Sequence, residues 1–498
     1  MASPLRHARH ECLPFDVVVL PATATATLSA EFLKVDDGLD RISTLADDLR
    51  RNIISRLPFK EAVRTTVLAR SWRCIWGSTP LFLNDAHLLP PSPGNVRAGA
   101  IDCILRSHSG PFESVHLANF YLEPHQREIA LWSRLLAERG VKDLVLVRLE
   151  GPASIDLSPS MRLPVDILRC ANLRRLYIGY WMFPDTSDLP DGAGVFPHLE
   201  ELGIIDTRME DHDLDHILAS SPVLKKLALI GNELPVQVNL RGQSLQCVLF
   251  WLSVRSKINF VEVNAPNLER LIMWSYSTLH PLVSVVSAPV LKVLGYLNLG
   301  GGPLGFRNTI INIKVDSETS PSSMIPSVKI LALNVDLRYS RDVPVLANFL
   351  RWFPNIETLH LKCECYVHMP SDNNHSESFQ NLDPIECVQS QIKTVVLHEF
   401  TGHRIEMALL RYLSQKANQM RQLTLVLPHL PDERSVGEIK GELDDLLFLP
   451  WASEACTLLL LGPAKKLAWT FHRASDLSIH DPFLSDDGQE LFRFVKGI

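Results

Sequence analysis

A motif of the form Leu-x-x-Leu-x-Leu, with apolar substitutions, recurs along most of this chain and limits its fold more than any other feature. From Leu173 onward it appears as Leu173-Leu176-Ile178, Leu199-Leu202-Ile204, Leu224-Leu227-Leu229, Leu245-Val248-Phe250, Leu268-Leu271-Met273 and Leu291-Leu294-Tyr296. Successive starts lie 26, 25, 21, 23 and 23 residues apart. Alternating apolar residues make a short strand with one face in a core. One such unit cannot bury its apolar face alone, so the copies must stack as a solenoid. Later copies are Val328-Leu331-Leu333, Ile356-Leu359-Leu361, Ile392-Val395-Leu397 and Met420-Leu423-Leu425, spaced by 37, 28, 36 and 28 residues, which implies insertions. Phe112-Val115-Leu117 and Val141-Leu144-Leu146 are degenerate earlier copies. Pro197, Pro222, Pro266, Pro289, Pro326 and Pro354 each stand just before a copy and turn the chain into its strand. Between two copies, Glu210–Pro222 reads as a helix with Leu214, Ile217 and Leu218 on its apolar side. The array predicts a parallel sheet on a concave side and helices or loops on the convex side.

The period and pattern resemble leucine-rich repeats, whose units run about 20–29 residues. The segment Asp40–Asn84 is different. Leu45, Leu49, Ile53 and Leu57 recur every four residues, with Ile54 widening the stripe, and predict one helix stopped at Pro58. Ser43 or Thr44 is its candidate N-cap, and Asp47 and Asp48 place negative charge in its first turn. A second helix is predicted through Val63, Val67, Leu68, Trp72, Ile75 and Trp76, apolar on more than one side. Such a helix packs against two things, here the first helix and something outside the segment.

With D-R-I-S, L-x-D-D-L, I-I-S-R-L-P and V-R-T-T-V-L-A-R-S-W-R, this segment resembles the F-box of plant F-box/leucine-rich-repeat proteins. The resemblance implies a substrate receptor of a Skp–cullin–F-box ubiquitin ligase. Leu45, Leu49, Ile53, Leu57, Pro58, Leu68 and Trp72 would form the adaptor-docking face and the small core beneath it. Two positions depart from the family pattern: Ala46 replaces its usual proline and Arg50 its usual leucine. A charge set in an apolar contact costs free energy unless it is paired or snorkels, so adaptor binding weaker than the family's is expected. A second resemblance covers Ile392–Leu427, which looks like the FBD region of the same proteins. It reads as strand, loop at Gly402, helix through Ile405, Leu409, Leu410 and Leu413, then strand.

The predicted architecture is therefore α/β: a small helical F-box, an irregular leucine-rich-repeat solenoid or horseshoe, and an FBD-like β-α-β unit. Its divisions are a flexible tail at 1–37, the F-box at 38–84, repeats at 100–385, the FBD-like region at 386–430 and a closing cap at 431–498.

With 46% apolar and 21% charged residues the 498-residue chain has a globular composition. A net charge of −7 gives no broad basic balance toward nucleic acid or anionic membrane. Nine scattered cysteines match no disulfide framework and fit reduced thiols in the cytoplasm or nucleus.

Three motifs tempt a chemical reading and fail it. Gly300–Gly305 satisfies G-x-G-x-x-G, but Pro303 interrupts it and a strand-like run follows where a dinucleotide site needs a helix. His398 and His403 lie five apart with Gly402 between them, not four apart on a helix. Cys363 and Cys365, near His360 and His368, read as buried or loop thiols rather than metal ligands. The polar run Ser371–Phe379 reads as an exposed loop. No cofactor, metal or catalytic constellation is expected, so the chain reads as a non-catalytic receptor. Its partners would be a Skp-type adaptor, through it a cullin, and a substrate protein on the concave repeat face. The alternative is a repeat scaffold outside any ligase, its N-terminal hairpin serving as a cap.

Overall fold

In the computed structural model the described residues are 44–57, 59–88, 94–118, 125–148, 161–184, 186, 196–231, 237–252, 260–275, 282–299, 304–306, 309–311, 324–335, 342–363, 379–380, 382–428, 436–447, 450–463, 471–484 and 489–495. They form two compact units that divide between Leu224 and Lys225.

The first unit opens with three short helices, α1 (Asp47–Ser55), α2 (Phe59–Arg64) and α3 (Arg70–Ser78). A parallel sheet follows: β1 (Leu81–Asn84), β2 (Phe112–Leu117), β3 (Asp143–Val147), β4 (Arg175–Gly179) and β5 (Glu201–Ile205), each paired with the next. Helices α4 (Gly94–Ser107), α5 (Gln126–Glu138) and α6 (Asp211–Ala219) follow β1, β2 and β5 along the chain.

In the second unit the repeat strands are β6 (Lys226–Ile230), β8 (Cys247–Leu252), β10 (Arg270–Ser275), β12 (Val293–Leu299), β15 (Ile330–Val335), β16 (Thr358–Cys363), β17 (Thr394–His398), β18 (Gln422–Val426) and β19 (Thr457–Leu461). All are parallel and in sequence order. The motif's central leucines fall in one buried row, Leu227, Val248, Leu271, Leu294, Leu331, Leu359, Val395, Leu423 and Leu458. That row is the core the repeats were expected to share.

The prolines act as expected. The amides of Leu199, Leu224, Leu268 and Leu291 donate to the carbonyls of Phe196, Ser221, Ala265 and Ala288, closing four-residue turns with Pro at the second position. Proline's fixed φ suits that position.

Several expectations are corrected. The crossovers of the middle repeats are strands, not helices or loops: β7 (Gln237–Arg241), β9 (Phe260–Asn264), β11 (Leu282–Ser287) and β13 (Leu304–Phe306) form a second parallel sheet, closed by antiparallel β14 (Thr309–Ile311). A repeat of 21–23 residues has little room for a helix beside its strand and turn. An extended crossover covers the same return in fewer residues, at about 3.3 Å each against 1.5 Å for a helix. The longer repeats do carry helices, α7 (Asp342–Arg351), α8 (Glu386–Ser390), α9 (Arg404–Lys416) and α10 (Val436–Leu447). Gly305 lies within β13, so no helix opens at the last glycine of that G-x-G-x-x-G run, and residues 300–303 lie outside the described set.

The predicted second N-terminal helix is broken. A 3-10 turn, Thr65–Val67, and the extended Ala69 separate α2 from α3. Thr65 and Thr66 hydroxyls donate back to the carbonyls of Ala62 and Val63, at 2.6 Å each, which loosens the helix there. The N-cap of the first helix is Ala46, without a side-chain bond, rather than Thr44; Ser43 lies outside the described residues.

The FBD-like stretch forms β17, a loop in which Gly402 takes φ +73°, α9 and β18. His403 caps α9, and the Glu406 carboxylate accepts from the amides of Thr401 and His403. After α11 (Phe471–Ser475) the chain returns as β20 (Glu490–Val495), antiparallel to β19.

Candidate docking face and the covered repeat face

The three N-terminal helices enclose a small core of Ile54, Ala62, Trp72 and Ile75, with Leu57, Ala69 and Trp76 against it. Trp72, expected in the docking set, is 2% exposed and belongs to this core. Leu57 is half-buried against the same cluster, and Leu45 is half-buried. Leu49, Ile53 and Leu68 point away from it, at 56%, 40% and 67% exposure, joined by Val67 at 78%. Pro58 lies outside the described residues. The predicted set thus splits into a buried foundation and an exposed apolar surface, with Val67 the surface member that sequence reasoning left out of the docking set. Its 3-10 geometry turns it outward.

Arg50 does not share the surface of Leu49 and Ile53. Its side chain is buried, pairs with Asp47, and lies 5.8 Å from the centre of the Trp72 ring. A buried guanidinium matched to a carboxylate and an aromatic face is compensated in the way a lone charge is not. Below the hairpin, Trp76 meets His108 edge-on at 4.8 Å, His108 Nε2 donates to the Thr79 carbonyl at 2.8 Å, and Ser109 donates to Gly77 at 2.7 Å. Burial lowers the His108 pKa, so the ring is neutral and its Nε2 proton is fixed by that carbonyl.

The repeat face assigned to a substrate is not open along the middle of the second unit. Pleat alternation puts Cys247, Arg270, His360 and His398 on the face opposite the leucine row. Residues 473–484 lie across that face. Arg270 Nη1 donates to the carbonyls of Arg473, Ala474 and Asp476, at 3.4, 3.0 and 3.0 Å, and Nη2 donates to Ile479. The Cys247 thiol donates to Ala474 at 3.4 Å. His360 Nε2 meets Asp481 Oδ2 at 2.9 Å, while its Nδ1 lies 3.0 Å from His398 Nε2. Phe483, fully buried, packs on Tyr296 and His360 with ring centres 5.0 and 5.4 Å apart.

Burial pulls the Asp481 carboxyl upward, but the His360 charge and hydrogen bond outweigh it and hold it below its ordinary value. Burial, reinforced by His360, pushes His398 down to about 3, so it is neutral. His360 therefore faces a carboxylate and a second imidazole. Cys365 and His368 lie outside the described residues. Among the described residues no group of three or more His, Cys, Asp or Glu is placed to hold a metal ion. None of the described helices is long and apolar enough to cross a membrane.

A helical adaptor-type hairpin set before an array of leucine-rich β-units defines the class. Comparison with known proteins gives the family. Residues 42–84 match the F-box domain, 129–361 the leucine-rich repeats of the FBD-associated F-box protein At5g56370, and 380–425 the FBD region. Among relatives, F-box/FBD/LRR-repeat protein At1g13570 of Arabidopsis thaliana is 22% identical over 85% of this chain and 98% of its own. The putative FBD-associated F-box protein At3g50710 of the same plant is 24% identical over 85% and 100%. F-box/LRR-repeat protein At3g26922 is 28% identical over 53% and 75%. The chain thus carries F-box, leucine-rich-repeat and FBD regions, and its homologues are F-box/FBD/LRR-repeat proteins of Arabidopsis thaliana.

Proposed function

We propose that this chain is the substrate-recognition subunit of a Skp–cullin–F-box ubiquitin ligase. The observation that carries the reading is the apolar surface of Leu49, Ile53, Val67 and Leu68, left open above a core that is already closed. Four large aliphatic side chains exposed on one small module are what a protein-docking surface requires. A Skp-type adaptor fits it, and through the adaptor a cullin. The chain contributes no nucleophile; it raises the effective concentration of substrate lysines near a charged conjugating enzyme. Cytoplasm or nucleus is the compartment of such a ligase, in keeping with Cys74, Cys103, Cys170, Cys247, Cys387 and Cys456 standing as thiols rather than in disulfides.

The test is co-purification of the full chain with a plant Skp-type adaptor. Retention at micromolar adaptor, lost in Leu49→Asp and Leu68→Asp, is the expected result. Failure of the folded wild type to retain adaptor refutes the reading. One observation favours the scaffold alternative: the hairpin packs on the following segment through Trp76, His108, Gly77 and Ser109. Deleting residues 1–84 leaves aggregating repeats if the hairpin is only a cap, and soluble repeats if it is a docking arm.

A further inference from the structure

Residues 473–484 bind their own sheet as a peptide binds a receptor. Arg270 engages only main-chain carbonyls, at the end of a five-residue helix whose last carbonyls have no partner within it. Contacts of that kind hold a segment without reading its side chains. Two further contacts do read side chains: His360, backed by His398, takes the Asp481 carboxylate, and Tyr296 with His360 takes the Phe483 ring. Pro482 stands between these two residues. Asp481 also accepts from the Phe483 amide at 3.0 Å, which fixes the turn that presents both groups. A sheet face that only needed sealing would be sealed with aliphatic residues. A buried guanidinium and two buried imidazoles cost desolvation that an aliphatic seal would not.

We propose that the face of β8 to β17 is a peptide-recognition site, that residues 473–484 occupy it in cis, and that its partner is a protein segment carrying a carboxylate and, two residues later, an aromatic ring. The proposal deepens the substrate-holding half of the ligase reading and rests on it only for the biological role of the bound segment. A tethered occupant acts at an effective concentration on the order of millimolar, so a free competitor meets a site that is mostly filled. If the cis segment is in place 99 parts in 100, the competitor's apparent affinity falls about 100-fold. Weakening the cis segment must therefore strengthen binding in trans.

The experiment uses the full chain with Asp481→Ala and Phe483→Ala together, and a fluorescein-labelled synthetic peptide of residues 473–484, read by fluorescence anisotropy. Saturable binding at least 10-fold tighter to the double variant than to wild type is expected. Adding His360→Gln, or replacing the peptide's aspartate by asparagine, should weaken binding at least 10-fold. A folded double variant that binds no peptide, or that binds a scrambled peptide equally, overturns the proposal. Hydrogen exchange on the wild-type chain covers a variant that fails to fold. Amides of 473–484 should exchange through openings that leave β8 and β10 protected, and exchange only by global unfolding counts against the site. No adaptor is present in either measurement, so a negative result leaves the ligase reading to its own test.

Discussion

His360 Nε2 lies 2.9 Å from Asp481 Oδ2, so one hydrogen bond ties the repeat sheet to a segment 121 residues further along the chain. On its other side the same ring meets His398 at 3.0 Å. The groups acting on His398 are His360, Asp481 and Lys362, with Tyr296 edge-on at 6.2 Å. In the folded protein burial keeps His398 unprotonated down to about pH 3. In the unfolded chain it takes up a proton below about 6.5. Between those values the unfolded state binds more protons, so this contribution to stability falls on acidification. Asp481 acts in the same direction. Its carboxylate is held below the ordinary value, so its contribution is present above that value and is lost as pH drops through the lowered one. Relative to His398→Gln, wild type should lose up to about 1.4 kcal/mol per pH unit from pH 6 to pH 4 in urea titrations. A difference that does not change with pH would contradict the arrangement.

Arg50 makes the opposite case, a buried charge that the site can do without. It pairs with Asp47 and lies over Trp72, away from the exposed leucines. Removing one member of a buried pair is costly where the other charge stays buried, but the Asp47 carboxylate is more than half exposed and returns to water when Arg50 is lost. Arg50→Leu should shift stability by no more than about 1 kcal/mol and leave adaptor capture within a few-fold of wild type. A large gain in capture would instead place Arg50 on the docking surface.

The sequence made the repeat strands legible because their period is physical. The second and third apolar positions of each Leu-x-x-Leu-x-Leu copy lie on one strand, and from Leu173 onward the first stands in the turn before it. The second sheet was also written there, as Val238-Asn239-Leu240, Val261-Glu262-Val263 and Val283-Ser284-Val285, strict alternation at spacings of 23 and 22 residues. Those short runs carry no leucine signature and fall within the intervals between copies. At the candidate site, Leu49 and Ile53 could not be told from Ile54 by periodicity, since a helix apolar over a wide stripe does not say which side is covered first. The segment 473–484 left no periodic trace. Its hold depends on Arg270 and His360, residues more than a hundred positions away, and no local pattern encodes such a pairing.

Gly203 stands opposite Tyr177 in the pairing of β4 with β5. A Cβ at this position would overlap the Tyr177 ring, which is buried and donates its hydroxyl to Glu201. The ring can leave only by giving up that bond and its packing. Gly203→Ala should therefore cost about 1–3 kcal/mol, the usual range for overpacking, seen as a lower midpoint in thermal melts. Tyr177→Phe should cost less, because it removes the hydroxyl alone, and the double variant Gly203→Ala with Tyr177→Ala should recover part of the loss.

The N-terminal hairpin allows stability and the proposed docking to be tested apart. Trp72 and Ile54 are sealed inside it, whereas Leu68 stands on the 3-10 turn's far side with two thirds of its surface in water. Trp72→Ala removes a ring from a core of four residues, a change of about 3–5 kcal/mol in larger proteins. Here it should melt the hairpin locally, exposing residues 47–78 to limited proteolysis and abolishing adaptor capture as a consequence. Leu68→Asp changes an exposed position, where substitutions usually stay within about 0.5 kcal/mol. It should leave proteolysis of 47–78 unchanged and lower adaptor capture at least 10-fold. The two variants lose the same activity for different reasons, and the proteolysis pattern tells them apart. If Leu68→Asp captured adaptor as well as wild type while Leu49→Asp did not, the docking surface would be confined to α1, with the turn before α3 serving only to close the core.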